Sequence, residues 1–86
     1  MTPETLLTLY SRTGCHLCED MCRQLQGLQQ EIPFRLVLVD VDEIPEMRVR
    51  YDTRVPVLTH ADRVLCELFL DATQVREYLC NAANGV

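Results

Sequence analysis

The fold of this chain is decided by residues 6–18, which read LLTLYSRTGCHLC. The run Leu6–Tyr10 is apolar enough for a buried strand, and a Gly-bearing turn over 11–14 follows it. Cys15 and Cys18 then open a segment with helical spacing. A Cys-x-x-Cys at a helix start places the first thiol beside unpaired backbone N–H groups and the positive end of the helix dipole. Both favour the nucleophilic thiolate, and the second Cys lies one turn on, so the pattern indicates thiol–disulfide exchange.

The composition predicts one small globular domain that spans residues 1–86. Hydrophobic residues make up 48% and charged residues 24% of the chain, as in ordinary globular proteins. The net charge is -5, and the eight basic residues are all arginines scattered along the chain. An acidic chain of this kind argues against nucleic acid or a membrane surface as the main partner, and we expect a monomer.

The cysteine count bears on the compartment. There are five cysteines, Cys15, Cys18, Cys22, Cys66 and Cys80, and an odd number does not suit a fully paired secreted framework. The first four residues carry no basic segment, and no apolar run reaches membrane-spanning length. We therefore expect a cytoplasmic protein whose cysteines are redox-active, metal-binding or buried.

Apolar periodicity, prolines and turn residues predict seven elements along the chain. Strands are expected at 5–10, 34–41, 55–59 and 64–68, and helices at 16–30, 44–51 and 72–82, followed by a fraying tail at 81–86. The first β-α-β unit requires a parallel pair, and the last two strands form a hairpin that adds an antiparallel edge. The prediction is an α/β fold of order β-α-β-α-β-β-α, a four-stranded mixed sheet flanked by three helices.

Three sequence features together resemble the thioredoxin fold, and within it the glutaredoxin family. They are Tyr10-Ser11-Arg12-Thr13-Gly14-Cys15 before Cys18, Val55-Pro56 at the third strand, and Asp71 after the hairpin. The element order matches over nearly the whole chain. The resemblance implies a thioredoxin-like thiol–disulfide oxidoreductase in cell redox homeostasis. It needs no dissociable cofactor, and its substrates would be protein disulfides or glutathione mixed disulfides, with glutathione as a co-substrate.

The resemblance also implies roles for the two cysteines, and physical chemistry suggests roles for their neighbours. Cys15 would be the nucleophile and Cys18 the resolving thiol. His16 lies between them, where a protonated ring would favour the thiolate; the alternative is an exposed spacer with little effect. Cys22 shares the helix face of both cysteines, as a second resolving thiol or a small buried residue.

His16 is also placed among the substrate-binding residues, and the resemblance implies four others. Arg12 falls where glutaredoxins carry a basic residue that meets the glutathione carboxylate. Pro56 would be a cis proline that faces the active site, with the Val55 backbone pairing to a bound peptide or glutathione. Asp71 falls near the acidic residue that receives the glutathione amino group, and it is also expected to cap the last helix.

The chain departs from the glutaredoxin pattern in two places. His16-Leu17 replaces the usual Pro-Tyr between the cysteines, and Glu67-Leu68 stands where a Gly pair is expected. A Cβ and a carboxylate at that position would hinder close approach of the anionic tripeptide. We therefore predict weak glutathione binding.

Two other classes of function stay open. Cys15, Cys18, Cys22 and His16 could hold zinc, or Cys15 could share a [2Fe–2S] cluster with glutathione, although no second Cys/His pair with zinc-finger spacing follows and no metal site is assigned. Alternatively, a non-catalytic adaptor could keep the fold and hold a partner on the Val55-Pro56 surface. Cys66 and Cys80 are expected to fill core or surface positions, and His60 is expected at the surface beside the hairpin turn.

Overall fold

The computed structural model describes residues 5–83 and shows a four-stranded mixed sheet with helices on both faces. The strands are β1 (Leu6–Ser11), β2 (Arg35–Asp40), β3 (Val57–His60) and β4 (Arg63–Glu67). The helices are α1 (His16–Gln29), α2 (Pro45–Tyr51) and α3 (Ala72–Ala83). The order β-α-β-α-β-β-α of the α/β prediction is confirmed.

The sheet has the strand order β2-β1-β3-β4, so the apolar β1 is central, as predicted. It pairs in parallel with β2 and antiparallel with β3, and β4 forms the antiparallel edge. Because β3 runs antiparallel to β1, its first residues meet the carboxyl end of β1. The helix α1 begins just beyond that end, so three chain segments converge at one edge of the sheet.

The ends of the strands differ from the predicted ones by one or two residues. Pro56 carries no N–H to donate to the ladder, and β3 begins after it, at Val57. Val41 leaves β2 for a 3-10 turn, because the Asp40 side chain accepts the Asp42 N–H at 2.9 Å and caps that turn. The hairpin turn is tighter than expected, since Ala61 adopts a positive φ of 55° and β4 begins at Arg63.

Two hydrophobic clusters lie on either side of the sheet. The larger cluster joins the sheet to α1 and α3, and its buried members are Leu7, Leu9, Met21, Leu25, Leu28, Phe34, Leu58, Leu65, Val75 and Leu79. The smaller cluster lies under the start of α1 and against α2, and its buried members are Cys18, Val41, Tyr51, Val55 and Val57. Tyr10, Cys15 and Met47 pack against the smaller cluster.

The two long helices follow their predicted bounds closely. On α1 the buried positions are Cys18, Met21, Leu25 and Leu28, while Leu17 is only half-buried. The helix α3 extends one residue beyond its predicted end, and residues 84–86 of the predicted fraying tail lie outside the described residues. Over the described range, no helix has the length and apolar character needed to cross a membrane.

Candidate redox site

The first two cysteines are joined as a disulfide at the amino-terminal end of α1. Cys15 and Cys18 have Cα atoms 5.2 Å apart, within the usual range for a disulfide. Cys15 is the N-cap residue of α1, and its Sγ accepts the backbone N–H of Cys18 at 3.1 Å. A sulfur in the N-cap position satisfies one of the free N–H groups of the first turn, and a negative charge there is stabilised by the helix dipole.

The two sulfurs differ in their surroundings. Cys18 is only 4% exposed and belongs to the smaller cluster, whereas Cys15 is partly exposed at its rim. His16 points away from both, since its side chain is 95% exposed and its Nδ1 lies 3.9 Å from Glu19 Oε2. The structure therefore favours the exposed-spacer interpretation of His16.

The wall beside the dithiol is made by Val55 and Pro56. The peptide bond between them is cis, as the resemblance implied, and both residues are buried. Val55 packs in the smaller cluster together with Cys18 and Tyr51. The ring of Tyr51 in turn lies 4.8 Å from the ring of Tyr10, so two tyrosines line this side of the dithiol.

Arg12 is near the dithiol, but its charge is already paired. Its backbone carbonyl accepts the Cys15 N–H at 3.2 Å, which fixes the turn before the helix. Its guanidinium contacts Asp52 at 3.3 Å and Asp42 at 3.1 Å. The hydrogen bond to Asp52 and the adjacent Asp42 raise the pKa of this guanidinium. The structure thus places the predicted anion-binding residue beside the dithiol with two carboxylates already bound to it.

Arg54 was not singled out by the sequence, yet it is a second cation of this site. Its guanidinium makes two hydrogen bonds to the Glu67 carboxylate, one of them 3.0 Å long, and lies 5.4 Å from the centre of the Tyr51 ring. Hydrogen bonding to Arg54, together with its charge, lowers the pKa of the Glu67 carboxyl. Glu67 is therefore one half of an ion pair and not the free carboxylate that the sequence suggested.

The loop after β4 contacts the cis proline directly. Leu68 donates its N–H to the Pro56 carbonyl at 2.8 Å and adopts a positive φ of 66°. A leucine rarely adopts this conformation, which glycine reaches without a steric penalty. The glutaredoxin Gly pair is expected at this place, so the backbone keeps a glycine-like shape while a side chain occupies the position. Phe69, the next residue, is 68% exposed.

The remaining candidate residues lie as follows. Asp71 caps α3, because its Oδ1 accepts the Gln74 N–H at 3.1 Å. Cys22 is partly buried against the larger cluster, which favours its interpretation as a packing residue. The expectation of a surface position for His60 is wrong: its ring is partly buried and bonds through Nδ1 to the Tyr78 hydroxyl.

The other two cysteines fill the positions expected of them. Cys66 packs against the larger cluster, and burial raises the pKa of its thiol, whereas Cys80 is exposed on α3. Within residues 5–83, no three His, Cys, Asp or Glu side chains are grouped as ligands of one metal ion.

A family model described as the glutaredoxin-like domain (DUF836) matches residues 6–80. The chain belongs to the glutaredoxin-like domain family. The match begins at β1, includes the dithiol, the cis proline and the loop after β4, and ends within α3. No curated protein matches the chain.

Two solved structures of similar size share more than 30% of their residues with this chain. Protein Ne2328 from Nitrosomonas europaea is 37% identical, with a TM-score of 0.83, over 92% of this chain and 95% of its own. Protein XcR50 from X. campestris is 32% identical, with a TM-score of 0.72, over 87% of this chain and 96% of its own.

Thioredoxins share the fold at lower identity. Fasciola hepatica thioredoxin is 21% identical, with a TM-score of 0.60, over 91% of this chain and 80% of its own. The protein is thus a member of the glutaredoxin-like domain family with a thioredoxin fold, and it places a Cys15–Cys18 pair at disulfide distance.

Proposed function

We propose that this protein is a cytoplasmic thiol–disulfide oxidoreductase in which Cys15 is the nucleophile and Cys18 the resolving thiol. The observation that carries the proposal is the N-cap position of Cys15, whose sulfur accepts the Cys18 N–H at 3.1 Å. The same donor and the helix dipole stabilise a thiolate at Cys15 and give less support to the buried Cys18.

The reaction follows from this asymmetry. The Cys15 thiolate attacks one sulfur of a substrate disulfide, and the other sulfur leaves with the electron pair and takes up a proton. Cys18 then loses its proton and attacks Cys15 Sγ, which releases the second substrate thiol. The protein dithiol becomes the Cys15–Cys18 disulfide, so two electrons and two protons pass to the substrate. A thiol of low molecular weight or a dithiol protein would return the disulfide to the dithiol.

The cysteines outside the pair support the cytoplasmic part of the proposal. Cys22, Cys66 and Cys80 are free thiols in the structure, and free thiols of this number are typical of a reducing compartment. Fractionation of cells that produce the native protein, followed by detection in the soluble and exported fractions, tests this location. Recovery from an exported fraction would contradict it.

Trapping the mixed disulfide tests the chemistry. The Cys18→Ser variant lacks the resolving thiol, so reduced protein mixed with a synthetic peptide disulfide should accumulate a mixed disulfide at Cys15. Mass spectrometry of the unreduced digest locates the bond. The matched control is Cys80→Ser, which removes an exposed thiol on α3 and should complete the exchange with no trapped adduct. A mixed disulfide at Cys22, Cys66 or Cys80, or none, would refute the assignment.

A further inference from the structure

Both guanidinium groups of the candidate site are already bound by carboxylates of the chain itself. Arg12 contacts Asp42 and Asp52, and Arg54 holds both oxygens of Glu67. The three carboxylates outnumber the two guanidinium groups, so this rim carries one excess negative charge. An anionic ligand gains no free cation here, and it meets a field of its own sign.

Glutathione is a ligand of that kind, because it carries two carboxylates and one ammonium group. A guanidinium in bidentate geometry is a strong partner for a carboxylate, but the Arg54 guanidinium already binds both oxygens of Glu67 in that way. The backbone of Leu68 has a positive φ of 66°, a conformation suited to glycine, and the leucine side chain adds bulk at this position. Charge and shape both act against the tripeptide at this position.

The same loop presents apolar surface beside the cis proline. Phe69 is 68% and Leu68 38% exposed, and the Leu68 N–H is bonded to the Pro56 carbonyl. An exposed aromatic side chain that directly follows a residue bonded to the cis proline offers a contact surface for another polypeptide. The excess negative charge nearby complements basic residues on that polypeptide.

We propose that the dithiol selects disulfides of polypeptides with apolar and basic residues around the reactive cysteine, and discriminates against glutathione disulfide. Glu67 and Phe69 are the specificity-determining residues: Glu67 occupies Arg54, and Phe69 contacts the apolar part of the polypeptide. This inference rests on the proposed function, since it concerns which disulfide the Cys15 thiolate attacks. The exchange itself is the same two-electron reaction for either substrate.

Single-turnover kinetics of the fully reduced protein tests the selection. The two substrates are glutathione disulfide and a disulfide-linked dimer of a short peptide, blocked at both ends, with Leu and Arg beside its cysteine. We expect the wild-type protein to react with the peptide at least roughly tenfold faster at low salt. The advantage should shrink at high salt, because exposed charges are screened.

Two variants separate the contributions of charge and apolar contact. Glu67→Gln removes the negative charge that Arg54 binds and should raise the rate with glutathione disulfide roughly threefold to fivefold. Its matched control is Asp62→Asn, which removes a carboxylate at the hairpin turn, at the opposite end of β4 from Glu67, and should change neither rate. Phe69→Ala should lower the peptide rate about fivefold and leave the glutathione rate unchanged. Its control is Val64→Ala, an exposed apolar residue near the hairpin turn.

The outcomes distinguish the two levels of the proposal. Reaction with both substrates at the slow rate of a Cys15→Ser variant would refute the oxidoreductase itself. Fast reaction of the wild type with glutathione disulfide, equal to or above the peptide rate, would refute the selection and leave the oxidoreductase standing. A glutathione rate that Glu67→Gln does not raise, or a peptide rate that Phe69→Ala does not lower, would remove that residue as a determinant of specificity.

Discussion

The two hydrophobic clusters of this protein have different roles. The larger cluster is made of ten buried side chains from α1, α3, the sheet and Phe34 just before β2, and among them there is neither a thiol nor a hydroxyl group. The smaller cluster has five, including Cys18 and Tyr51, and the reactive end of α1 rests on it. The comparison indicates that the larger cluster supplies most of the stability, whereas the smaller one positions the dithiol. Substitutions in the two should therefore separate stability from reactivity.

The largest effect is expected from Leu25→Ala in the larger cluster. Leu25 is fully buried on α1, so its truncation removes apolar contacts and leaves a cavity. We expect the free energy of unfolding to fall by about 2–5 kcal/mol in urea titrations. The matched control is Leu38→Ala, a leucine that is 56% exposed on β2 and should cost well under that amount. If both substitutions had the same effect, the larger cluster would not be the source of stability.

The second prediction concerns reactivity at the smaller cluster. In the reduced protein, iodoacetamide at neutral pH should alkylate Cys15 at least roughly tenfold faster than Cys66. Cys15 is an N-cap at the surface, whereas burial raises the pKa of the Cys66 thiol and leaves it mostly protonated. Peptide mapping by mass spectrometry gives both rates.

Cys80 separates the effect of exposure from that of the N-cap. It is exposed on α3, away from the first turn of that helix. A Cys15 rate above the Cys80 rate would therefore report the helix terminus itself. Equal rates at Cys15 and Cys80 would show that the helix terminus contributes nothing to the reactivity of Cys15. A Leu25→Ala variant should leave the order of the alkylation rates unchanged, because Leu25 lies in the larger cluster.

The sequence predicted the fold well because its strongest signals are local. The apolar run of β1, the Cys-x-x-Cys at a helix start and Val55-Pro56 each report on a few adjacent residues. These signals suffice for the element order, and the central place of β1 follows from its lack of polar alternation. The N-cap role of Asp71 is equally local, since it depends on an N–H three residues away.

The Arg54–Glu67 ion pair was not predictable because it depends on strand register. The pairing between β3 and β4 shifts between Leu58 and Thr59, where β4 carries one extra residue. Such a bulge changes which side chains face each other beyond it, and no residue type in the hairpin sequence predicts it. Glu67 pairs with Val57, and this register brings it to Arg54. Because the sequence does not reveal the strand register, Glu67 was interpreted as an unpaired carboxylate.

A substitution at Leu68 tests whether the loop after β4 would be more stable with a glycine at this position. Replacing Leu68 by Gly removes the steric conflict of its positive φ and should raise the free energy of unfolding by about 1 kcal/mol. Leu70 lies in the same loop with an ordinary φ, so Leu70→Gly is the matched control and should lower stability. Urea titration of both variants measures this. A loss of stability in Leu68→Gly would mean that side-chain packing at Leu68 outweighs the backbone conflict.

The smallest effect is expected from the Arg54–Glu67 ion pair, and it should depend on pH. Because Arg54 lowers the pKa of Glu67, the folded protein holds this carboxylate ionised at pH values where the unfolded chain begins to bind the proton. The pair therefore contributes its full stability above the ordinary Glu pKa of 4.5, and the contribution is lost as the pH falls through the lower folded value. The pair is solvent-accessible, so its contribution to stability is small.

Glu67→Gln removes the titrating group and keeps the shape of the side chain. The difference in unfolding free energy between wild type and Glu67→Gln should be present at pH 7, shrink below pH 4.5 and vanish in strong acid. High salt at pH 7 should reduce the same difference, because the pair is screened. A difference that persists in acid would assign the effect to packing of the Glu67 side chain and not to its charge.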